Sequence, residues 1–248
     1  MYEIETRNLT RNFGRLVAVN GLNLQIRKGA IFGFLGPNGA GKSTTVKMLT
    51  GLLQPTAGEA LISGVSILDS PLEVKKKIGV LPEDLALFDS LTIWEHLLMC
   101  GPIYGLKRTE TESRAMQLLK YLDLRDSRNV YVDQASSGMR KKCSLAMALL
   151  HNPAVLFLDE PFEGIDPVSS RNIKDLLLLL ASRGATIFLT SHILEVVERL
   201  VESFAIIVDG EIVCSQTVEE TLSAGQTIEE LFLKHVRRDE VEQLEWIG

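Results

Sequence analysis

Nine residues, GPNGAGKST at positions 36–44, constrain this chain more than any other stretch. Gly36, Gly41, Lys42 and Ser43 follow the spacing G-x-x-x-x-G-K-S, between the apolar run 30–35 and the helix-compatible stretch 44–53. The order is strand, loop, helix. Glycines let successive backbone N–H groups turn inward around a phosphate, and a helix N-terminus adds partial positive charge. On this reading Gly36, Pro37, Asn38, Gly39, Ala40, Gly41, Lys42, Ser43 and Thr44 together cradle a nucleoside triphosphate. Lys42 reaches the β- and γ-phosphate oxygens. Ser43 offers its hydroxyl to Mg2+, which takes oxygen ligands and keeps part of its water shell.

Two further constellations carry chemistry. In LFLDEP, residues 156–161, a buried strand ends in two adjacent carboxylates. Successive strand residues face opposite ways, so Asp159 is placed to hold Mg2+ while Glu160 polarises an attacking water. The triplet Thr190-Ser191-His192 follows the apolar run 186–189. A histidine at a strand's carboxyl end lies on the edge where open α/β sheets bind ligands, within reach of a γ-phosphate.

The periodicity around these motifs gives the framework. Residues 4–9 and 17–26 alternate apolar and polar, as half-buried antiparallel strands do. A strand and turn follow at 58–65, and a short buried strand at 77–81. Between 84 and 152 the pattern becomes helical, with a capping box at Thr92 and Glu95 and helical spacing over 111–122. Buried strands at 155–158 and 186–189 flank a helix over 168–183, which implies a parallel sheet covered on both faces. A hairpin over 204–214 turns at Asp209-Gly210, and a charged helical end is expected over 228–244.

Composition mainly excludes. The balance of 26 basic against 32 acidic residues argues against a protein that coats nucleic acid. Cys100, Cys143 and Cys214 lie far apart without metal-ligand spacing and read as buried thiols in a reducing compartment. The N-terminal stretch has no apolar core of the secretory kind, and the apolar run 176–180 falls far short of the ~20 residues that cross a bilayer.

Taken in order, the motifs resemble those of an ATP-binding subunit of an ABC transporter over nearly the whole chain. The resemblance is carried by GPNGAGKST, by QASSGMRKKCSLAMALLHNPAVLFLDEP at 134–161, by GIDP at 164–167 and by TSH at 190–192. The stretches LTIWEHLLMCGPIYGL and IEELFLK resemble bacterial exporter ATPases whose membrane domains are separate polypeptides.

The resemblance implies an α/β fold: a P-loop NTPase core with a mainly parallel sheet, an N-terminal antiparallel β layer and an inserted helical subdomain. It implies a single domain over 1–248, with the helical subdomain at roughly 84–152 and the hairpin and tail at roughly 203–248. Phe13 takes the place of the aromatic that stacks on adenine. Glu83 stands where the family has a glutamine that touches Mg2+ and relays to the membrane domain. Ser136 and Gly138 match the signature that faces a γ-phosphate, whereas Ser137 replaces a glycine and is strained if that position needs positive φ. Glu163 replaces a small polar residue and meets either a repelling site or a cation across the interface.

Two copies related by a twofold then sandwich two ATP molecules with Mg2+, and a permease docks near 87–104. The chain is expected on the cytoplasmic side of the membrane, held there by its permease and driving export, with no nucleic-acid partner. Two other readings stay open: a regulatory subunit with weak turnover, suggested by Glu83, Ser137 and Glu163, and a soluble ABC-type ATPase outside transport.

Overall fold

The computed structural model describes residues 2–236. Two sheets organise it. Strands β1 (Tyr2–Phe13) and β2 (Leu16–Arg27) form a long hairpin, followed by β3 (Ile31–Leu35) and helix α1 (Lys42–Leu49). Next come β4 (Ala57–Ile62), β5 (Val65–Ser66), α2 (Pro71–Lys77) and β6 (Ile78–Leu81). The helical stretch holds α3 (Ile93–Ile103), α4 (Arg108–Tyr121) and α5 (Ser137–Leu149). The chain then re-enters the core with β7 (Val155–Leu158), α6 (Pro167–Ser182), β8 (Thr186–Ser191) and α7 (Leu194–Glu198). It continues through β9 (Ser203–Val208), β10 (Glu211–Thr217), α8 (Val218–Ser223) and α9 (Ile228–His235).

The larger sheet runs β10-β9-β3-β8-β7-β6, parallel from β9 to β6 with β10 antiparallel at one edge. The smaller sheet, β2-β1-β4-β5, is antiparallel. Strand β3 shows why the chain folds this way. Its five residues, IFGFL, are all buried, because the strand is covered on both faces and cannot alternate with polar side chains. Ile31 and Leu35 join one apolar cluster, with α3, α4, α5 and α6, while Phe32 and Phe34 join another beneath the antiparallel layer. Phe188 of β8 ties the second cluster together, with ring centroids 5.3 to 5.6 Å from Phe32, Phe34 and Phe157.

Local signals account for several boundaries. Thr92 and Glu95 form the expected capping box at the start of α3. The GIDP motif is a helix start: Asp166 Oδ1 accepts from the N–H groups of Val168 and Ser169 at 3.0 and 2.9 Å, and Pro167 occupies the first turn of α6. Asp209 and Gly210 both have positive φ, 49° and 82°, as a tight two-residue hairpin turn requires.

Other expectations need correction. Helix α1 spans Lys42–Leu49 rather than 44–53, because Gly41 starts it and left-handed Gly51, φ 67°, ends it two residues after Leu49. Thr190 and Ser191 lie inside β8 rather than after it. Helices α2, α7 and α8 have no counterpart in the sequence pattern; each is 5 to 7 residues, too brief for helical periodicity to register. Cys100 and Cys143 are buried, but Cys214, on edge strand β10, is only half-buried. The helical end expected over 228–244 begins as α9, and its residues beyond 236 lie outside the described residues.

Candidate functional site

The phosphate-loop sequence lies between the carboxyl end of β3 and α1, and its glycines answer to close contacts. A Cβ on Gly36 would stand 2.3 Å from Ile207 O of β9. A Cβ on Gly41, whose φ is 107°, would stand 2.5 Å from Ala18 O of β2. The hairpin turn braces the same loop: Gly210 N–H donates to Ala40 O at 3.1 Å, and Asn20 N–H donates to Gly210 O at 2.8 Å. The loop therefore has a fixed shape set by β2, β9 and the β9–β10 turn.

Lys42 is buried, 7% exposed, so its charge must be met locally. Its Nζ donates to Gly36 O at 2.8 Å and Pro37 O at 3.1 Å, and stands 3.9 Å from Glu160 Oε1. A cavity of about 310 Å3 opens above the loop. Asn38, Gly39, Gly41, Lys42, Ser43 and Thr44 line one side, and Glu83, Glu160, Glu163 and His192 line the other.

Glu160 is the pivot of the far wall. It is a non-glycine residue with φ 49°, and its N–H donates to Thr190 Oγ1 at 3.1 Å. Its carboxylate meets His192 twice, with Oε2 3.0 Å from Nδ1 and accepting from the backbone N–H at 3.3 Å. That use of Nδ1 leaves Nε2 as the ring atom available to a ligand. Asp159 sits deeper, 3% exposed, accepting from Thr190 Oγ1 at 2.5 Å and lining an adjoining cavity with Glu83 and Val46.

The donor set suits a hard divalent cation that shares its shell with phosphates and water. Ser43 Oγ donates to Glu83 Oε2 at 3.1 Å, so the hydroxyl and a carboxylate already converge at the cavity. Among the described residues no group of three or more His, Cys, Asp or Glu is arranged as a metal cage. A cation here would depend on its substrate for the rest of its ligands.

Three expected residues lie elsewhere. Phe13 is 46% exposed at the end of β1 and does not line the cavity; Arg11 stacks over its ring at 4.6 Å. Ser136 and Gly138 are at the start of α5, where Ser136 Oγ accepts from Met139 N–H at 3.2 Å, and neither lines the cavity. Ser137 is the first residue of α5 and is not among the residues with positive φ, so the strain expected there is absent. Replacing Ser137 by Gly is expected to relieve nothing. The variant should lose no more than about 0.5 kcal/mol of stability, read from the urea midpoint, with ATP turnover within about twofold of the parent.

Sequence reasoning does not find Lys141, whose Nζ donates to Glu160 O at 2.8 Å and to Glu163 O at 2.7 Å. This bond reaches the backbone carbonyl of Glu163, not the carboxylate for which a cation across the interface is expected. Burial pushes the Lys141 ammonium's pKa down, while Glu163, Glu160, Asp159 and Glu83 oppose that shift. In the run Arg140-Lys141-Lys142 nothing local distinguishes the middle residue.

Comparison with known proteins agrees with this geometry. The ABC transporter family matches residues 19–163, more than half of the chain. Linearmycin resistance ATP-binding protein LnrL of Bacillus subtilis is 36% identical over 230 residues, covering 92% of this chain and 74% of LnrL. Nod factor export ATP-binding protein I of Burkholderia lata is 36% identical over 207 residues, covering 84% of this chain and 68% of that protein. A dimeric, post-hydrolysis ATP-binding cassette bound to ADP and Pi superposes with a TM-score of 0.81 at 26% identity, covering 87% of this chain and 98% of the cassette. Its phosphate loop, Glu160 and His192 share one cavity with Asp159 buried beside it, and by its matches this chain belongs to the ABC transporter family, as an ATP-binding subunit that hydrolyses ATP.

Proposed function

We propose that the chain is the ATP-hydrolysing engine of an exporter, working as two copies with a separate membrane permease. The observation that carries this reading is the division of its motifs: Lys42, Ser43, Glu83, Glu160 and His192 share one cavity, whereas Ser136 and Gly138 stand apart from it. A twofold pair would close each cavity with the α5 N-terminus of the other copy. The relatives named for resistance and export support the direction, and the dimeric cassette supports the pairing.

Each residue then has a task. Gly36, Pro37, Asn38, Gly39, Ala40, Gly41 and Thr44 shape the cradle, and Lys42 meets the β- and γ-phosphates. Ser43, Glu83 and Asp159 would hold Mg2+, which supplies charge neutralisation on the phosphate oxygens when bound. Glu160 would accept the proton of the attacking water, oriented by His192, whose Nε2 is left free for the γ-phosphate. Phe13, with Arg11 over one face, offers the other face to adenine. Ser136 and Gly138 serve the second copy's ATP.

The same reading treats the whole chain as one ABC-type domain with a helical subdomain at roughly 84–152. An apolar groove of about 560 Å3 is the proposed permease dock; it is lined in part by Leu52, Leu72, Leu85, Ile103, Tyr104 and Met147. Leu72 and Ile103, 73% and 69% exposed, both line it and leave apolar surface open to a partner. Among the described residues no helix is long and apolar enough to cross a membrane, so attachment to the cytoplasmic face would run through the permease.

The test is hydrolysis by the purified chain, alone and reconstituted with its permease. Phosphate release is expected that stops on chelation of Mg2+ and rises with the permease. Absence of hydrolysis in both preparations would overturn the engine reading in favour of a regulatory subunit.

A further inference from the structure

We propose that Lys141 is a positioning residue for Glu160, holding the backbone turn that aims its carboxylate at the cavity. The proposal rests on the reading of Glu160 given above. Its basis is a pair of hydrogen bonds that leave α5 and clasp a turn in another part of the chain. Lys141 Nζ donates to the carbonyls of Glu160 and Glu163 at 2.8 and 2.7 Å. These carbonyls bracket a tight turn, in which Glu163 N–H returns to Glu160 O at 3.3 Å.

Glu160 needs such support. A non-glycine residue at φ 49° occupies a sparsely populated conformation that lasts only where its surroundings over-determine it. Both of its backbone polar groups are taken by side chains from other elements. Thr190 of β8 accepts from its N–H at 3.1 Å, and Lys141 of α5 donates to its C=O. With the peptides on either side fixed, the carboxylate has little choice of direction, and its oxygens reach Lys42 and His192. Loss of the Lys141 bonds would free the turn to relax toward ordinary φ and swing the carboxylate off those partners.

The neighbours do not substitute. Arg140 lines a separate cavity beside Glu163 and Gly164, and Lys142 is buried at 8% exposure; neither donates to this turn. An ammonium suits the task because its three donors leave a compact head that two converging carbonyls can share. Being half-buried opposite four carboxylates, Lys141 also offsets negative charge that would otherwise gather round the cavity. Since α5 begins at Ser137, the clasp joins the helix bearing the signature residues to the carboxylate of its own chain's site.

The experiment uses the full chain and compares Lys141→Met, which keeps the apolar stem, with Lys141→Arg, Glu160→Gln and the double variant. Lys141→Met is expected to lower kcat about tenfold or more, with ATP Kd within about threefold and the unfolding midpoint close to the parent. Lys141→Arg should recover a large part of kcat, since its fork also donates to two carbonyls. In the double variant the Lys141 change should add little to the Glu160 loss, because both act through one carboxylate. Lys141→Met with parental kcat, or with Kd and folding lost in step with kcat, would overturn the proposal. If Lys141→Met fails to fold, Lys141→Gln and Lys141→Arg carry the same comparison. Near-parental turnover in Glu160→Gln would instead remove the reading of Glu160, and the Lys141 proposal with it.

Discussion

Replacing Glu160 by Gln is expected to reduce ATP turnover by roughly 10²–10⁴-fold while leaving ATP affinity within a few-fold. The change is nearly isosteric, so the phosphate loop keeps its shape and Lys42 keeps its bonds to Gly36 O and Pro37 O. What is removed is a proton acceptor. An amide has no basic oxygen of comparable strength, and whichever way it turns its NH2 faces a donor, the N–H of His192 or the Lys42 ammonium, where a carboxylate oxygen now stands. Binding without hydrolysis should let ATP-bound pairs accumulate. Phosphate release and size-exclusion chromatography with Mg2+ and ATP check both halves. Turnover within tenfold of the parent would show that another group activates the water.

Lys42→Met should act in the opposite way, on affinity first. The lysine is the only loop side chain whose ammonium is both buried and turned to the cavity, with its Nζ already oriented by two carbonyls. Methionine fills much the same space, so the loop's fold is retained while the donors are lost. Two charge-assisted hydrogen bonds at about 1.5–3 kcal/mol each set the expected loss, a rise in ATP Kd of roughly 10²–10⁴-fold. Titration with a fluorescent ATP analogue measures it, with the urea midpoint as a control for folding. A Kd within threefold of the parent would mean that backbone N–H groups and the helix end do the binding alone.

Much of the architecture is legible in the sequence because its signals are strong and local. IFGFL has no polar residue to place on a wet face, and Asp209-Gly210 between two apolar runs is a turn with a steric reason. The phosphate-loop spacing similarly prescribes close backbone approach, which the contacts of Gly36 with Ile207 and Gly41 with Ala18 explain. Legibility ends where the determinant is a long-range neighbour. Nothing around Lys141 announces that its partners lie 19 and 22 residues away. The strain expected at Ser137 is absent because the residue begins a helix, while the unusual φ falls on Glu160, where no glycine flags it. Phe13, Ser136 and Gly138 can be named from the motif order, but one chain does not assemble them with the cavity.

The strand order has a consequence in time. The loop's own strand, β3, pairs on one side with β8 and on the other with β9, and the loop is braced by Ile207 and Gly210. All of these are made about 160 residues after the loop itself. During synthesis at about 5–20 residues per second, the phosphate loop would wait roughly 10–30 s before its floor exists. Until then a growing chain carries the nucleotide motif without the sheet that shapes it, and its apolar β3 strand is exposed to whatever else it meets.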